Sequence, residues 1–172
     1  MSETKFNGMP VKLVGEFVRK GMMAPEFVLS KGNLEPFGKQ DIGGKFAVLS
    51  IFPSLDTTVC ANAVRRFNRM AASIPDTLVL AISRDLPFAQ QRFCTTEGIE
   101  HVVALSDFHL GSTFGKDYGV QMLDGPLNGL FARAVVVIDP HGKIAYCELV
   151  SEITQEPDYS AALSVCRDQN FA

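Results

Sequence analysis

The residue of this chain best suited to chemistry is Cys60, a thiol at the predicted start of a helix. Four of the six residues before it, in SLDTTVC (54–60), are Ser, Asp or Thr. Unpaired N–H groups and the positive end of the helix dipole favour an anion in the first helical turn. Thr57 or Thr58 could cap that turn, and either hydroxyl could instead donate to the sulfur. Because the thiolate is the nucleophilic form of cysteine, the pattern predicts a reactive thiol.

A second interpretation makes Cys60 one member of an apolar helix face. The apolar residues recur at 3.6-residue spacing: Cys60, Ala63, Val64, Phe67 and Ala71. Free cysteine is among the most buried residue types, so periodicity alone leaves both interpretations open. The polar residues just before Cys60 favour the reactive one.

The other thiols are widely spaced. Cys94 lies 34 residues beyond Cys60, and Cys147 and Cys166 lie further along. No two cysteines are close enough for a zinc pattern and the three histidines are scattered, so no metal site or cofactor is predicted. These spacings leave transient redox use or burial as small hydrophobes. For Cys94 both remain open from the residues alone, whereas Cys147 and Cys166 are predicted to be buried.

Three continuous apolar runs form the predicted centre of the fold: FAVLSIF (46–52), TLVLAIS (77–83) and AVVVID (134–139). Runs without alternation are typical of strands covered on both faces. HVVALSD (101–107) is a weaker fourth strand. The helical stripe that begins at Cys60 connects the first two runs.

Two further helices are predicted. DLPFAQQRFCTTEG (85–98) has Asp85 and Pro87 near its start and Gly98 just beyond its end, which is typical of a short capped helix. The last helix begins at about Pro157.

The remaining segments supply edges and turns. VKLVGEFV (11–18) alternates like a half-buried strand, with EFVLS (26–30) as its hairpin partner. Gly and Pro in 32–44 predict turns, and KIAYCELV (143–150) should pair antiparallel with 134–139. Together these elements predict an α/β fold: a central mixed β-sheet flanked by helices, with an N-terminal β-hairpin.

Length and charge restrict the possible functions. The 172 residues fit a single domain spanning 1–172, and the net charge of −3 gives no reason to expect nucleic-acid or anionic-membrane binding. We find no 18-residue apolar run and no signal-peptide core at the N-terminus. A cytoplasmic protein is therefore expected.

The motif residues together resemble a known family. PSLDTTVC (53–60) resembles the P-x-x-x-T/S-x-x-C signature of peroxiredoxins. Cys94, within RDLPFAQQRFC, is similar in position to the second cysteine of the thiol peroxidase subfamily, the atypical two-cysteine bacterial peroxiredoxins. LNGLFARAVVVID around Arg133, the GKDYGV segment and the N-terminal hairpin resemble that subfamily too, so the likeness covers nearly the whole chain.

The resemblance implies a thioredoxin-like fold and a role for each motif residue. Cys60 would be the peroxidatic nucleophile, and Cys94 would resolve its sulfenic acid in an intramolecular disulfide. Thr57 would hydrogen-bond the thiolate and the peroxide, and Pro53 would shield the pocket from water. Arg133 would place a guanidinium near the sulfur. Without the likeness, Arg133 would be interpreted as a surface arginine beside a buried strand.

The resemblance also implies hydroperoxide substrates, thioredoxin as reductant and a homodimer. Because a disulfide needs Cα atoms about 4.4–6.8 Å apart, we expect both cysteine segments to rearrange or unwind as the bond closes. Two alternatives remain: a redox sensor, or a disulfide exchange protein of the same fold without peroxidase turnover. The absence of a CxxC motif counts against disulfide exchange. A cysteine hydrolase is disfavoured because no histidine has a motif context.

Overall fold

A computed structural model describes residues 2–168 of the chain, with only the backbone of Asp168. The strands are β1 (Glu3–Phe6), β2 (Met9–Lys12), β3 (Val28–Ser30), β4 (Pro36–Gly38), β5 (Phe46–Ile51), β6 (Thr77–Ser83), β7 (Val103–Ser106), β8 (Ala134–Ile138) and β9 (Ile144–Leu149). The helices are α1 (Thr58–Ala71), α2 (Pro87–Glu97), α3 (Phe114–Asp117) and α4 (Tyr159–Asp168), with a 3-10 turn at Lys39–Ile42.

Seven strands form one mixed sheet in the order β4-β3-β7-β6-β5-β8-β9. Strand β5 pairs parallel with β6 and antiparallel with β8, and all its residues are buried, as a continuous apolar run predicts. The strands predicted at 46–52, 77–83, 101–107 and 134–139 are confirmed. The predicted antiparallel partner of β8 is also confirmed, as β9.

The two faces of the sheet carry separate apolar clusters. On one face, α1 and α4 bury Phe67 and Leu163 against the sheet, and Phe93 of α2 packs at the margin of the same cluster. On the other face, α3 and the segment that precedes β3 bury Phe114 and Phe27. The predicted α/β architecture with a mixed central sheet is therefore confirmed.

The N-terminal hairpin exists, but the prediction of its residues was wrong. It is formed by β1 and β2, joined at Asn7 and Gly8, which both have positive φ angles (51° and 82°). Asn-Gly is the preferred dipeptide of a two-residue hairpin turn and was the missed signal. Past β2, Leu13 makes a single bridge to Met122, and Val18 is buried against the sheet. The alternation at 11–18 thus reflects a strand end and a loop that crosses the core.

Two other local predictions need correction. Segment 26–30 supplies β3, which pairs with β4 and β7; β4 begins at Pro36, inside the segment predicted as turns. Proline is tolerated there because β4 is an edge strand. Helix α2 ends at Gly98 as predicted, with φ 65°, but its N-cap is Leu86 and makes no side-chain cap. Asp85 therefore does not cap it.

Candidate active site

The chain passes from β5 into α1 through the loop 53–57, which begins with the buried Pro53. Thr57 is the N-cap of α1: its hydroxyl oxygen accepts from the Cys60 N–H (3.3 Å), and the hydroxyl donates to the Ser54 carbonyl (3.1 Å). This local hydrogen bonding explains why the helix begins here. It also fixes Cys60 in the first turn, where unpaired amides and the helix dipole favour negative charge.

In the structure, Cys60 combines burial in the apolar cluster with a polar contact at its sulfur. The residue is fully buried and belongs to the apolar cluster that contains Val64 and Phe67. The sulfur nevertheless has a charged partner, because Nη2 of Arg133 lies 3.1 Å from Sγ. A buried thiol beside a guanidinium is placed for anion chemistry and not for packing alone.

Arg133 reaches Cys60 because of the register of the sheet. Ile51, at the end of β5, pairs with Ala134, so Arg133 lies beside the point where the chain leaves β5 for the loop. Its side chain is only 3% exposed, and Nε donates to the Ile153 carbonyl (2.8 Å). A buried guanidinium is costly unless it is hydrogen-bonded and faces an anion. The arrangement therefore stabilises negative charge at the sulfur.

An apolar cavity of about 170 Å³ opens beside this pair. Its walls come from the N-terminal hairpin, the loop 53–57, the start of α1, and the segments before β8 and after β9. They are lined by Phe6, Pro53, Thr57, Thr58, Val59, Leu127, Arg133, Ile153 and Thr154. Four predicted site residues thus meet around one cavity: Pro53, Thr57 and Arg133 on its wall, and Cys60 beneath.

Cys94 lies apart from this group. It is half-buried in the last turns of α2 and lines a different cavity of about 270 Å³, which α2 forms with Gly32 and Val103. Burial raises the pKa of the Cys94 thiol. Both Cys60 and Cys94 are free thiols.

The remaining cysteines serve as packing residues. Cys166 is buried as predicted, among the residues that cover Phe67, and burial raises its pKa to about 11. Cys147 is only half-buried in β9, with Sγ 3.4 Å from the Val18 carbonyl, and its pKa is also raised by burial. Neither thiol is in the environment that promotes the thiolate.

Within residues 2–168, no group of three or more His, Cys, Asp or Glu side chains is arranged to hold a metal ion. Over the same residues, no helix has the length and apolar character needed to cross a membrane.

Sequence reasoning missed two parts of the site. Phe6 and Ile153 close the cavity, yet neither stands in a motif. Asp85 was interpreted as a helix start, but its carboxylate accepts from Ser54 Oγ (2.7 Å) and from the Leu55 N–H (2.8 Å) in the loop before Cys60. Its place directly after a buried strand, in SRD, was the available signal.

A buried, capped thiol paired with an arginine on a thioredoxin-like sheet is the arrangement of a redoxin, and the Redoxin family profile matches residues 19–163. Thiol peroxidases from Corynebacterium glutamicum and Mycobacterium tuberculosis are each 49% identical to the chain over 164 residues, 95% of this chain and 98% of theirs. The chain belongs to the thiol peroxidase family, and it is an enzyme of the peroxiredoxin class.

Solved structures agree with this assignment. A peroxiredoxin-like protein from Aquifex aeolicus superposes with a TM-score of 0.92 at 38% identity, over 98% of this chain and 97% of that one. A thiol peroxidase from Chromobacterium violaceum superposes with a TM-score of 0.89 over 99% and 98%, at 20% identity. The second comparison supports the fold alone.

Proposed function

We propose that the protein reduces hydrogen peroxide and organic hydroperoxides at Cys60, and that thioredoxin recycles it through a Cys60–Cys94 disulfide. The observation that carries the proposal is the 3.1 Å contact between Arg133 Nη2 and Cys60 Sγ, at the foot of an apolar cavity. The roles of Cys60, Cys94, Thr57, Arg133 and Pro53 are part of this proposal.

In the first step the Cys60 thiolate attacks one oxygen of the hydroperoxide. An S–O bond forms, the O–O bond breaks, and the departing alkoxide or hydroxide takes a proton to leave as alcohol or water. The sulfur loses two electrons and becomes a sulfenic acid. Arg133 and the free amides at the start of α1 stabilise the charge that develops on the leaving oxygen. Thr57 can turn its hydroxyl from Ser54 toward the bound peroxide, and Pro53 covers the site.

In the second step the Cys94 thiolate attacks the sulfur of the Cys60 sulfenic acid. The new S–S bond replaces the S–O bond, and hydroxide leaves and is protonated to water, so no further oxidant is consumed. Thioredoxin then reduces the disulfide by thiol–disulfide exchange and is itself oxidised.

The test is peroxide consumption coupled to thioredoxin, thioredoxin reductase and NADPH. Cys60→Ser should abolish turnover because it removes the nucleophile. Cys94→Ser should react with one equivalent of peroxide and then stop. Cys147→Ser is the matched control, a half-buried thiol outside the site, and should retain turnover.

The outcomes separate the alternatives. Full turnover in Cys60→Ser would contradict the assignment of the nucleophile. Stoichiometric oxidation of the wild type without cycling would indicate a redox sensor. Thiol exchange with a disulfide substrate, without peroxide consumption, would indicate a disulfide exchange protein.

The cavity supports organic hydroperoxides as well as hydrogen peroxide. Phe6, Leu127 and Ile153 give it an apolar wall beyond what hydrogen peroxide needs. Phe6→Ala should raise KM for cumene hydroperoxide about tenfold and leave hydrogen peroxide kinetics within twofold. Leu34→Ala, at an exposed leucine elsewhere, is the control. Equal changes for both peroxides would contradict a role for the wall in substrate choice.

An exposed apolar surface supports the proposed homodimer. Leu86, Phe88 and Leu110 are 54%, 65% and 101% exposed, and Leu86 and Leu110 line one shallow cavity. Exposed apolar residues that cluster are typical of association sites. Leu110→Glu should shift sedimentation from dimer to monomer, whereas Leu34→Glu should not. A monomeric wild type would overturn the proposal.

A further inference from the structure

Asp85 lies between the two segments that carry the reactive cysteines. It follows β6, and its carboxylate accepts from Ser54 Oγ (2.7 Å), from the Leu55 N–H (2.8 Å) and from Ser83 Oγ (2.6 Å). The bonds from Ser54 and Leu55 hold the loop 53–57, which ends at Thr57, the N-cap of α1. The third belongs to a second chain of hydrogen bonds that leads into α2.

That second chain ends one turn before Cys94. The Ser83 hydroxyl donates its single hydrogen to Asp85, so its lone pairs face Gln90, whose Nε2 donates to Ser83 Oγ (3.1 Å) and to the Leu105 carbonyl (2.9 Å). Gln90 is fully buried. Only two residues of α2 are buried, Pro87 and Gln90. Gln90 is therefore the buried polar anchor of α2, alongside the half-buried Phe93 and the Glu97–Arg65 ion pair.

This attachment is incomplete. The Gln90 Oε1 atom is buried without a hydrogen-bond partner within the described part of the chain. An unsatisfied buried acceptor costs free energy that is recovered when water reaches it. Helix α2 therefore gains a hydrogen bond to solvent when it leaves the sheet.

A cleft separates the loop before α1 from the first turns of α2. A cavity of about 340 Å³ lies between Leu55 and Asp56 on one side and Ala89 and Phe93 on the other, with Asp85 on its lining. Apolar packing across this gap is thus limited. Two polar contacts link the segments: the Asp85 carboxylate, which bonds the loop before α1, and the ion pair of Arg65 in α1 with Glu97 in α2 (2.8 Å).

We propose that Asp85 is a positioning residue that couples the peroxide step to disulfide closure. It holds the loop 53–57 so that Thr57 and Cys60 keep their reactive geometry, and through Ser83 and Gln90 it keeps α2 docked. If closure draws the loop away from Asp85, the carboxylate and the Ser83 hydroxyl become free to rotate, which weakens the acceptor that Gln90 uses. The inference rests on the proposed Cys60–Cys94 disulfide, whose closure expels only water.

Two variants separate the bonds of Asp85 to the loop from its link through Ser83 to Gln90 in α2. Ser83→Ala removes the link to α2 and leaves the loop bonds, so closure should accelerate about fivefold, the factor for one net hydrogen bond, with a change under twofold in the peroxide step. Asp85→Asn has a single side-chain oxygen, so it cannot accept hydrogen bonds at both the Oδ1 and the Oδ2 position. It should slow the peroxide step about tenfold and also accelerate closure.

The measurements are stopped-flow rates of sulfenic acid formation and of disulfide closure after one equivalent of hydrogen peroxide. Amide hydrogen exchange in the reduced protein adds a readout that needs no turnover: Ser83→Ala should speed exchange in α2 and not in α1. Tyr118→Phe is the control, because it removes a partly buried hydrogen bond to the Pro25 carbonyl (2.7 Å) on the other face of the sheet. It should lower the unfolding midpoint and move neither rate.

The closure rates and the exchange data together decide whether Asp85 couples the two steps. Wild-type closure rates and wild-type exchange in Ser83→Ala would overturn the coupling, even if Asp85→Asn does not fold. A change in closure that Tyr118→Phe reproduces would show general destabilisation and would also overturn it. A wild-type protein that never forms the Cys60–Cys94 disulfide would instead refute the proposed function.

Discussion

The two helices that carry Cys60 and Cys94 are held in the fold very differently. Helix α1 buries six residues and is capped by a threonine hydroxyl: the buried set is Cys60, Ala61, Ala63, Val64, Phe67 and Ala71. Helix α2 buries only a proline and a glutamine and has no side-chain cap at its start. The same sheet thus carries one firmly packed helix and one weakly attached helix.

This difference matches the two chemical tasks. Attack on a peroxide needs the sulfur, the guanidinium and the leaving oxygen in fixed positions. The proposed disulfide would require Cys94 to leave its own cavity and approach Cys60. Segments with few buried contacts open locally at low free-energy cost. Firm packing therefore suits the proposed role of Cys60, and weaker attachment suits the proposed role of Cys94.

The largest expected effect tests packing directly. Phe67→Ala should lower the free energy of unfolding by about 3–5 kcal/mol, because the ring is fully buried between α1 and the sheet. Phe93→Ala in α2 should cost about half as much, since that ring is half-buried. Urea denaturation measures both. Equal costs would show that the two helices are attached equally well.

The next effect tests the charge beside the sulfur. Arg133→Leu should slow the peroxide step about 10²–10³-fold, the usual cost of losing a donor to developing negative charge. Arg65→Leu removes an arginine that pairs with Glu97 of α2 (2.8 Å) and should leave that step unchanged. Stopped-flow oxidation of Cys60 measures both. A small effect of Arg133→Leu would place charge stabilisation elsewhere.

The pH dependence of disulfide closure tests whether α2 opens before Cys94 attacks. Burial raises the pKa of Cys94, so the thiolate is scarce near neutral pH, and closure should accelerate about tenfold per pH unit. In an opened helix the thiol regains its ordinary pKa of about 8.5, and the rate should level off near that pH. A rate that keeps rising tenfold per unit above pH 9 would indicate attack from the folded helix.

The smallest effect tests the cap of α1. Thr57→Val should cost about 1 kcal/mol of stability, because the Cys60 N–H loses its acceptor, and should slow the peroxide step about fivefold. Thr57→Ser keeps the hydroxyl and is the control. Thermal unfolding and stopped-flow rates together measure the change. A full-speed peroxide step in Thr57→Val would remove Thr57 from the mechanism.

Local patterns were sufficient for much of this description. The apolar runs predicted β5, β6 and β8, and Gly98 predicted the end of α2, because burial on both faces and a positive φ each restrict residue type locally. Asn7 and Gly8 carried an equally local signal for the hairpin. The alternation at 11–18 has the period of a strand, but it belongs largely to a loop, because β2 ends at Lys12.

The sequence by itself determined which thiol is the candidate nucleophile, because the polar run, the threonine cap and the helix start lie within eight residues that end at Cys60. Only the tertiary structure decided what surrounds it. Arg133 reaches the sulfur from 73 residues away through the pairing of β5 with β8, and Phe6 and Ile153 close the cavity from distant segments. The sequence suggested Asp85 as part of a helix start, whereas in the structure its carboxylate accepts from Ser54 in the loop before α1 and from Ser83 at the end of β6. Such contacts depend on sheet register and packing, which no local pattern encodes.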